Sequence, residues 1–175
     1  MEHLQFPIGR YVKPDVFTKS YFETSIADIE SLPARLEATL TGWSDEQLDT
    51  PYRPGGWTVR QLVHHLADSH INAFVRIHLA LTEDNPTIKP YEQDDWVKLP
   101  DARMPIGVSL DVLRGLHARW AFLLKSLSEE QWKRTFFHPE SQKIFAVEEM
   151  AGVYAHHGNN HLAQIEGLKA REGWA

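Results

Sequence analysis

The spacing of apolar residues predicts a first long helix near the start of the chain. The apolar positions recur every three or four residues, which is the period of one helix face, at Ile26, Ile29, Leu32, Leu36 and Leu40. This pattern predicts a helix over about 25–41. Pro33 falls inside it and predicts a break or a bent start, because proline removes a helical hydrogen bond.

The same period predicts three further helices, over about 58–83, 109–126 and 147–171. The second begins with a capping box, in which Thr58 is the N-cap and Gln61 follows three residues later. Four amphipathic helices of this length favour an all-α fold, a four-helix bundle formed by one domain over 1–175.

The connections between these helices are long and rich in proline and glycine. The first twenty residues, with Pro7, Gly9 and Pro14, predict an extended arm. The stretch 86–107 predicts a loop with one turn at about 94–97, and 135–144 is compatible with a short hairpin. Connections of this length argue against a simple up-down-up-down order of helices.

A weak internal repeat relates the two halves of the chain. "SDEQL" precedes a helix with His64, His65 and His70, and "SEEQW" precedes a helix with the corresponding trio His156, His157 and His161. Two helix pairs of one plan would pack face to face. The repeat therefore predicts that the two histidine clusters meet.

Composition and charge exclude several classes of protein. The chain has 175 residues, of which 42% are hydrophobic and 24% charged, and a net charge of −6. Without a basic patch it does not resemble a nucleic-acid-binding protein. No apolar run approaches the roughly 20 residues of a membrane span, and no signal-type segment is present, so we expect a cytoplasmic protein.

The absence of cysteine and the ten histidines determine which metal sites are open to the chain. Disulfides, cysteine-ligated zinc and a cysteine nucleophile are excluded, so any metal site must use nitrogen and oxygen ligands. His157 and His161 lie one turn apart on an apolar helix face, a spacing that lets two imidazoles share one ion. Gly158 stands where an H-E-x-x-H zinc enzyme has its glutamate. The alternative is a pair of core histidines bonded to neighbouring side chains.

A third metal ligand is expected from the second helix, where the candidates are His64, His65, Asp68 and His70. On a helical wheel, His70 lies nearest the centre of the apolar face, whereas His65 lies on its flank. Periodicity alone therefore favours His70.

The segments "PYRPGGWTVRQLVHHLADSH", "LTEDNPTIKPY" and "HHGNNHLAQI" resemble the DinB-like superfamily, and within it the YfiT-type group of metal-dependent hydrolases. The resemblance covers nearly the whole chain. It implies a bundle that holds one divalent ion, zinc or alternatively nickel, through His65, His157 and His161. For the ligand on the second helix, the resemblance thus implies His65, whereas periodicity favours His70. The chain also departs from the group's histidine-rich run, with Asn159, Asn160 and Gln164 in its place.

The resemblance implies an enzyme that acts on a small molecule and forms a homodimer. Three histidines leave one coordination position for water, which predicts a hydrolase. Alternatively, a low-molecular-weight thiol such as bacillithiol occupies that coordination position, which would make the chain an S-transferase. A third hypothesis is a non-catalytic metal-binding bundle. Asp68 and Glu166 are candidate general bases, with a surface or supporting position as the favoured alternative. Arg53, Arg60 and Arg76 are candidates to bind the carboxylates of such a thiol, with solvated surface arginines as the favoured alternative. Candidate pocket aromatics, most of which we expect to serve packing between helices, are Trp57, Trp96, Trp120, Trp132 and Tyr154. We expect His117 and His138 to be structural or surface residues.

Overall fold

The computed structural model describes residues 2–174 and contains a bundle of four long helices. These are α2 (Lys19–Leu40), α4 (Val59–Thr82), α6 (Gly107–Lys125) and α8 (Val147–Glu172). The single-turn helix α1 (Glu2–Gln5) precedes them. The connections contain short elements: α3 (Asp45–Leu48), α5 (Gln93–Trp96), a 3₁₀ turn (Pro100–Arg103), α7 (Glu129–Trp132), β1 (Thr135–His138) and β2 (Lys143–Ala146). The predicted bundle and the short antiparallel hairpin are therefore confirmed.

Two predictions for the beginning of the chain were wrong. Helix α2 begins six residues earlier than its apolar pattern indicates, because the hydroxyl of Thr18 caps it by accepting from the backbone N–H of Tyr21. The first residues are not wholly an extended arm, since Glu2–Gln5 forms one helical turn.

Pro33 does not interrupt α2, which continues through it to Leu40. A helical carbonyl normally accepts from the N–H four residues later, so Pro33, which has no N–H, leaves the carbonyl of Ile29 without its helical partner. The Nδ1 of His117 on α6 occupies that position, 2.5 Å from the Ile29 oxygen. Pro33 thus leaves a backbone carbonyl free to accept a hydrogen bond from a side chain of another helix.

The order of helices around the bundle explains the long connections. Helix α2 packs mainly against α6 and α8, and α4 packs against the same two helices. The consecutive long helices α2 and α4 therefore lie across the bundle from each other. The internal repeat is visible in the structure, since α3 and α7 both begin with a capping box, at Ser44 and Ser128. None of the helices within residues 2–174 combines the length and the apolar character that crossing a membrane requires.

Two apolar clusters form the core, and a layer of histidines lies at the boundary between them. One cluster is centred on Ile29, Ile77 and Trp120, and the other on Leu36, Leu62, Leu113 and Ile165. The rings at the boundary, here called the histidine layer, belong to His65, His70, His117, His157 and His161. Buried polar rings of this kind require partners.

A glycine on α8 allows close approach of α2. A Cβ atom added at Gly152 would lie 2.0 Å from the hydroxyl oxygen of Tyr21, which donates to the carbonyl of Glu148. We therefore expect Gly152→Ala to lower the free energy of unfolding by about 1–3 kcal/mol, because Tyr21 must move.

The matched control is Gly115→Ala on α6, where a new Cβ would meet no atom within 4 Å. It should raise the free energy of unfolding by up to about 1 kcal/mol through helix propensity. Urea denaturation of both variants checks the pair, and effects of the same sign would contradict the packing described here.

Candidate metal centre

The structure brings three histidines from two facing helices together. The Nε2 atom of His157 lies 3.3 Å from the Nε2 of His65 and 3.2 Å from the Nε2 of His161. The three ligand atoms all lie within 4.8 Å of one another, and no fourth His, Asp or Glu of residues 2–174 joins them. His65 comes from α4, and the i, i+4 pair comes from α8.

A glutamine fixes the ring of His161. The Oε1 of Gln164 accepts from the His161 Nδ1 at 2.8 Å, while the Gln164 amide nitrogen donates to the carbonyl of Gln5 at 2.7 Å. The amide orientation follows from that carbonyl, which can only accept. His161 therefore carries its proton on Nδ1, and in the neutral ring its Nε2 has a free lone pair.

A chain of imidazoles fixes the ring of His157 in the same way. The carbonyl of Ile29 can only accept, so His117 donates to it from Nδ1. Neutral His117 then accepts at Nε2 from the Nδ1 of His70, at 2.8 Å. Neutral His70 accepts in turn from the Nδ1 of His157, at 3.1 Å. The Nε2 of His157 is left with a lone pair that points at the other two rings.

The contact between the Nε2 atoms of His157 and His161 indicates that the three rings suit a metal ion. The Nε2 atoms of His157 and His161 both carry lone pairs at 3.2 Å, an arrangement that repels unless a cation lies between them. Two nitrogens that each lie about 2.0–2.1 Å from a tetrahedral zinc ion are roughly 3.3 Å apart. The Nε2 distances from His157 to His161 and to His65, 3.2 and 3.3 Å, are close to this value. The residues therefore fit a divalent cation.

The pKa values of these histidines favour the neutral, ligating form. Burial is the largest cause in each ring, and it lowers the pKa of His65 to about 3 and that of His161 to about 4. Burial also holds the pKa of His157 and of His70 well below the ordinary value, and lowers that of His117 to about 4. All five rings are thus neutral at pH 7, as the hydrogen-bonding scheme requires.

Two cavities flank the group and give small molecules access to it. The Arg53 lobe, of about 560 Å³, is lined by Arg53, Trp57 and the three histidines. The Arg76 lobe, of about 420 Å³, is lined by Arg76, Tyr91, His138 and His157. Gln93 and Asp94 of α5 line both lobes. A larger cavity of about 710 Å³ lies beside Arg60, and none of the three histidines lines it.

The other residues singled out from the sequence are dispersed. Arg60 pairs with Asp45 and Asp49 at 2.7 and 2.6 Å, and so lies outside both lobes. Trp57 packs on the His65 ring with centroids 4.6 Å apart. Trp120 and Trp132 belong to the core, Trp96 packs on Tyr91, and Tyr154 lines the Arg76 lobe.

The remaining positions considered from the sequence are one glycine, Gly158, and two histidines, His117 and His138. Gly158 faces α2, where a Cβ would lie 2.4 Å from Leu32, so no glutamate fits there. His117 is fully buried as part of the imidazole chain, and His138 lies on β1 in the lining of the Arg76 lobe.

The carboxylates near the group differ from those expected. Glu166 is exposed, and neither Glu166 nor Asp68 lines either lobe. Asp94, which lines both lobes, was missed because it lies on the single turn α5, where helical periodicity gives no signal. Gln5 was missed for the same reason.

Asp68 nevertheless has a perturbed pKa with a consequence for stability. Burial, and then the charge of Asp101, raises its pKa from 3.8 to about 6. The folded state therefore holds this proton more tightly than the unfolded chain does, so the stability falls as the pH rises from about 4 and the loss is complete above about pH 6.

Asp68→Asn is expected to raise the free energy of unfolding by about 1 kcal/mol at pH 7.5, a value reduced for solvent screening. The gain should vanish below pH 4, where the native carboxyl is protonated in both states. Urea titrations at the two pH values check this, with the exposed Asp84→Asn as control. A gain of equal size at both pH values would contradict it.

The arrangement defines a class of protein: a four-helix bundle whose facing helices bring three histidines together. The chain belongs to the DinB superfamily, whose sequence model matches residues 28–165. The predicted family is thereby confirmed.

The relatives narrow this class further. A protein of Bacillus cereus (strain 03BB102) named "Putative metal-dependent hydrolase" is 47% identical over 176 residues, which cover 99% of this chain and 100% of that protein. A protein of Bacillus thuringiensis subsp. konkukian (strain 97-27), also named a putative metal-dependent hydrolase, matches to the same extent. The structure of YfiT from Bacillus subtilis, described as "a probable metal-dependent hydrolase with an unusual four-helix bundle topology", superposes with a TM-score of 0.96 at 43% identity and covers 99% of both chains.

Proposed function

We propose that this chain is a metal-dependent hydrolase that holds one divalent ion through the Nε2 atoms of His65, His157 and His161. The observation that supports it most is the 3.2 Å contact between two Nε2 atoms whose lone pairs face each other. The three histidines would hold the ion, and a zinc ion so held would supply a bound water with a pKa near 7.

The chain's own groups supply the orientation and the access. Gln164 and His70 hold two of the rings so that their lone pairs converge. Trp57 packs against the ring of His65 and limits its movement. The two lobes give a small molecule room beside the group, and Asp94, which lines both, is the carboxylate best placed to accept a proton.

Zinc is the ion we propose, with nickel as the alternative, because histidine sites accept both and availability decides between them. Elemental analysis of the protein purified without added metal tests this. The cytoplasmic location and the single-domain organisation stay predictions.

Hydrolysis is tested with a panel of chromogenic esters and amides. Cleavage should disappear with a chelator and return when zinc is added back. The exposed Asp84→Asn variant should retain the activity and serves as the control. Cleavage that persists in metal-free protein would contradict the proposal.

A thiol S-transferase is the second candidate, and the presence of two lobes favours it. A transferase must hold two molecules next to one centre, and the Arg53 and Arg76 lobes both reach His157. Conjugation of monochlorobimane to small thiols, with and without chelator, separates the candidates. Metal-dependent conjugation without ester or amide cleavage would replace the hydrolase proposal. A metal-bound protein inactive in both assays would leave the non-catalytic bundle.

We further propose a homodimer that uses the outer face of α4 and α6. Ile71 and Val75 on α4 and Val112 and Phe122 on α6 are exposed, and Phe122 is 78% accessible. Monomers rarely expose a large apolar patch. Phe122→Lys should turn the dimer into a monomer in light scattering coupled to gel filtration. The control Val12→Lys, at an exposed position on another segment, should leave it dimeric, and a wild-type protein that is monomeric throughout would refute the proposal.

A further inference from the structure

Arg76 is a buried cation without an acidic partner. Its side chain projects from α4, and the residue is only 8% accessible. No carboxylate of residues 2–174 lies within the 4.0 Å of an ion pair with it. Its Nη2 makes one long hydrogen bond, 3.3 Å, to the carbonyl of Lys89, while its Nε is buried with no hydrogen-bond partner. Burial of a charge is costly unless a partner of opposite charge is supplied.

The guanidinium lines a cavity that reaches the candidate metal centre. The Arg76 lobe also contains the hydroxyl-bearing residues Ser69, Tyr91 and Tyr154, and it ends at His157. Burial raises the pKa of Tyr154, and the charge of Arg76 opposes that shift. Burial lowers the pKa of His138, and the charge of Arg76 adds to that shift. A buried cation with an unused donor thus belongs to the wall of a cavity that also carries hydroxyl groups.

We infer that the Arg76 lobe is a binding site for the carboxylate of a small-molecule substrate, held by the guanidinium group of Arg76 while the rest of the molecule extends toward His157. The planar guanidinium matches a carboxylate with two parallel hydrogen bonds. The inference depends on the proposed function in one respect only, which is that the molecule carrying the carboxylate is the substrate.

The acidic lining of the lobe favours a carboxylate over a polyphosphate. Glu92, Asp94 and Glu140 line the same lobe and are exposed. One negative charge can be held by Arg76, whereas additional charges on the ligand would meet these three carboxylates without a cation to balance them. The site should therefore prefer a single carboxylate to a ligand with several negative charges.

The test uses metal-free, EDTA-treated protein, so that an anion cannot bind to an ion instead. Benzoate is the probe, benzamide the neutral analogue and pyrophosphate the polyanion. We expect benzoate to shift the Arg76 Nε–H signal in ¹H–¹⁵N spectra, and benzamide to leave it in place. Pyrophosphate should bind more weakly than benzoate.

Variants connect the binding to the side chain. Arg76→Gln should weaken benzoate binding by about tenfold or more in calorimetry. Arg76→Lys should weaken it by less, because lysine keeps the positive charge but cannot donate two parallel hydrogen bonds to the carboxylate. Arg119→Gln, an exposed position outside the lobe, should match the wild type.

Three results would overturn the inference. One is an Arg76 Nε–H signal that does not move at about 10 mM benzoate, where even a complex with a Kd of 1 mM is about nine-tenths formed. Others are equal binding of benzamide, or tighter binding of pyrophosphate. The wild-type spectra need no variant to fold, and binding without metal is independent of whether the hydrolase proposal succeeds.

Discussion

His161→Ala is expected to remove most of the bound divalent metal. The variant keeps His65 and His157 but loses the third nitrogen, together with the lone pair that Gln164 holds toward the other two rings. Two histidines bind an ion far more weakly than three, so affinity should fall by more than the roughly 10–100-fold that the loss of an outer partner costs. Elemental analysis of the purified protein and competition with a chromophoric chelator measure the effect.

The control for this variant is His156→Ala, which removes a histidine from the same helix without touching the group. His156 packs edge-on to Tyr11, with ring centroids 5.9 Å apart. Its variant should retain wild-type metal content. Circular dichroism confirms that both variants are helical. Metal content in His161→Ala equal to that of the wild type would contradict the ligand assignment.

His70→Leu is expected to weaken metal binding by about 10–100-fold although His70 is not proposed as a ligand. Leucine takes away the acceptor of the His157 Nδ1–H. The ring of His157 is then free to move its proton to Nε2 or to rotate, and either change removes its lone pair from the centre. His117 also loses the donor at its Nε2.

His70→Gln separates this positioning role from a loss of packing. The glutamine amide offers an oxygen to His157 and an N–H to His117, so it should recover most of the metal affinity. ¹⁵N spectra of the imidazoles in metal-free protein give a second readout, in which His157 should be protonated on Nδ1 in the wild type and mixed in His70→Leu. Unchanged tautomers in His70→Leu would show that Ile29 and His117 do not set the proton position.

The four helices could be predicted from the sequence because their apolar faces repeat with the helical period over many turns. The start of α2 could not, because it is set by one hydroxyl, that of Thr18, on a stretch without apolar periodicity. The internal repeat gave correct information about the centre, since α4 and α8 do place their histidines together.

The choice between His65 and His70 depends on more than the depth of a residue in its helix face. A helical wheel ranks positions by depth, and His70 is indeed the deeper residue, fully buried between two other imidazoles. A group open to small molecules must reach a cavity, and His65, on the flank of the apolar face, lines the Arg53 lobe. The family resemblance favoured His65, and the structure places it with His157 and His161.

Other parts of the site depend on contacts between distant segments. Arg60, Arg53 and Arg76 are equivalent in the sequence, yet one is neutralised by Asp45 and Asp49 while the other two line separate lobes. No local pattern shows that Asp94 lines both lobes. These residues are positioned by the folded connections.

The proline in α2 has a consequence for attempts to make this protein more robust. By sequence rules Pro33 is the weakest residue of its helix, and alanine there would restore the missing N–H. That N–H would draw the Ile29 carbonyl back into the helical repeat and away from His117, at the far end of the imidazole chain. A screen for heat resistance alone would therefore tend to select a change that loosens the alignment of the rings two helices away.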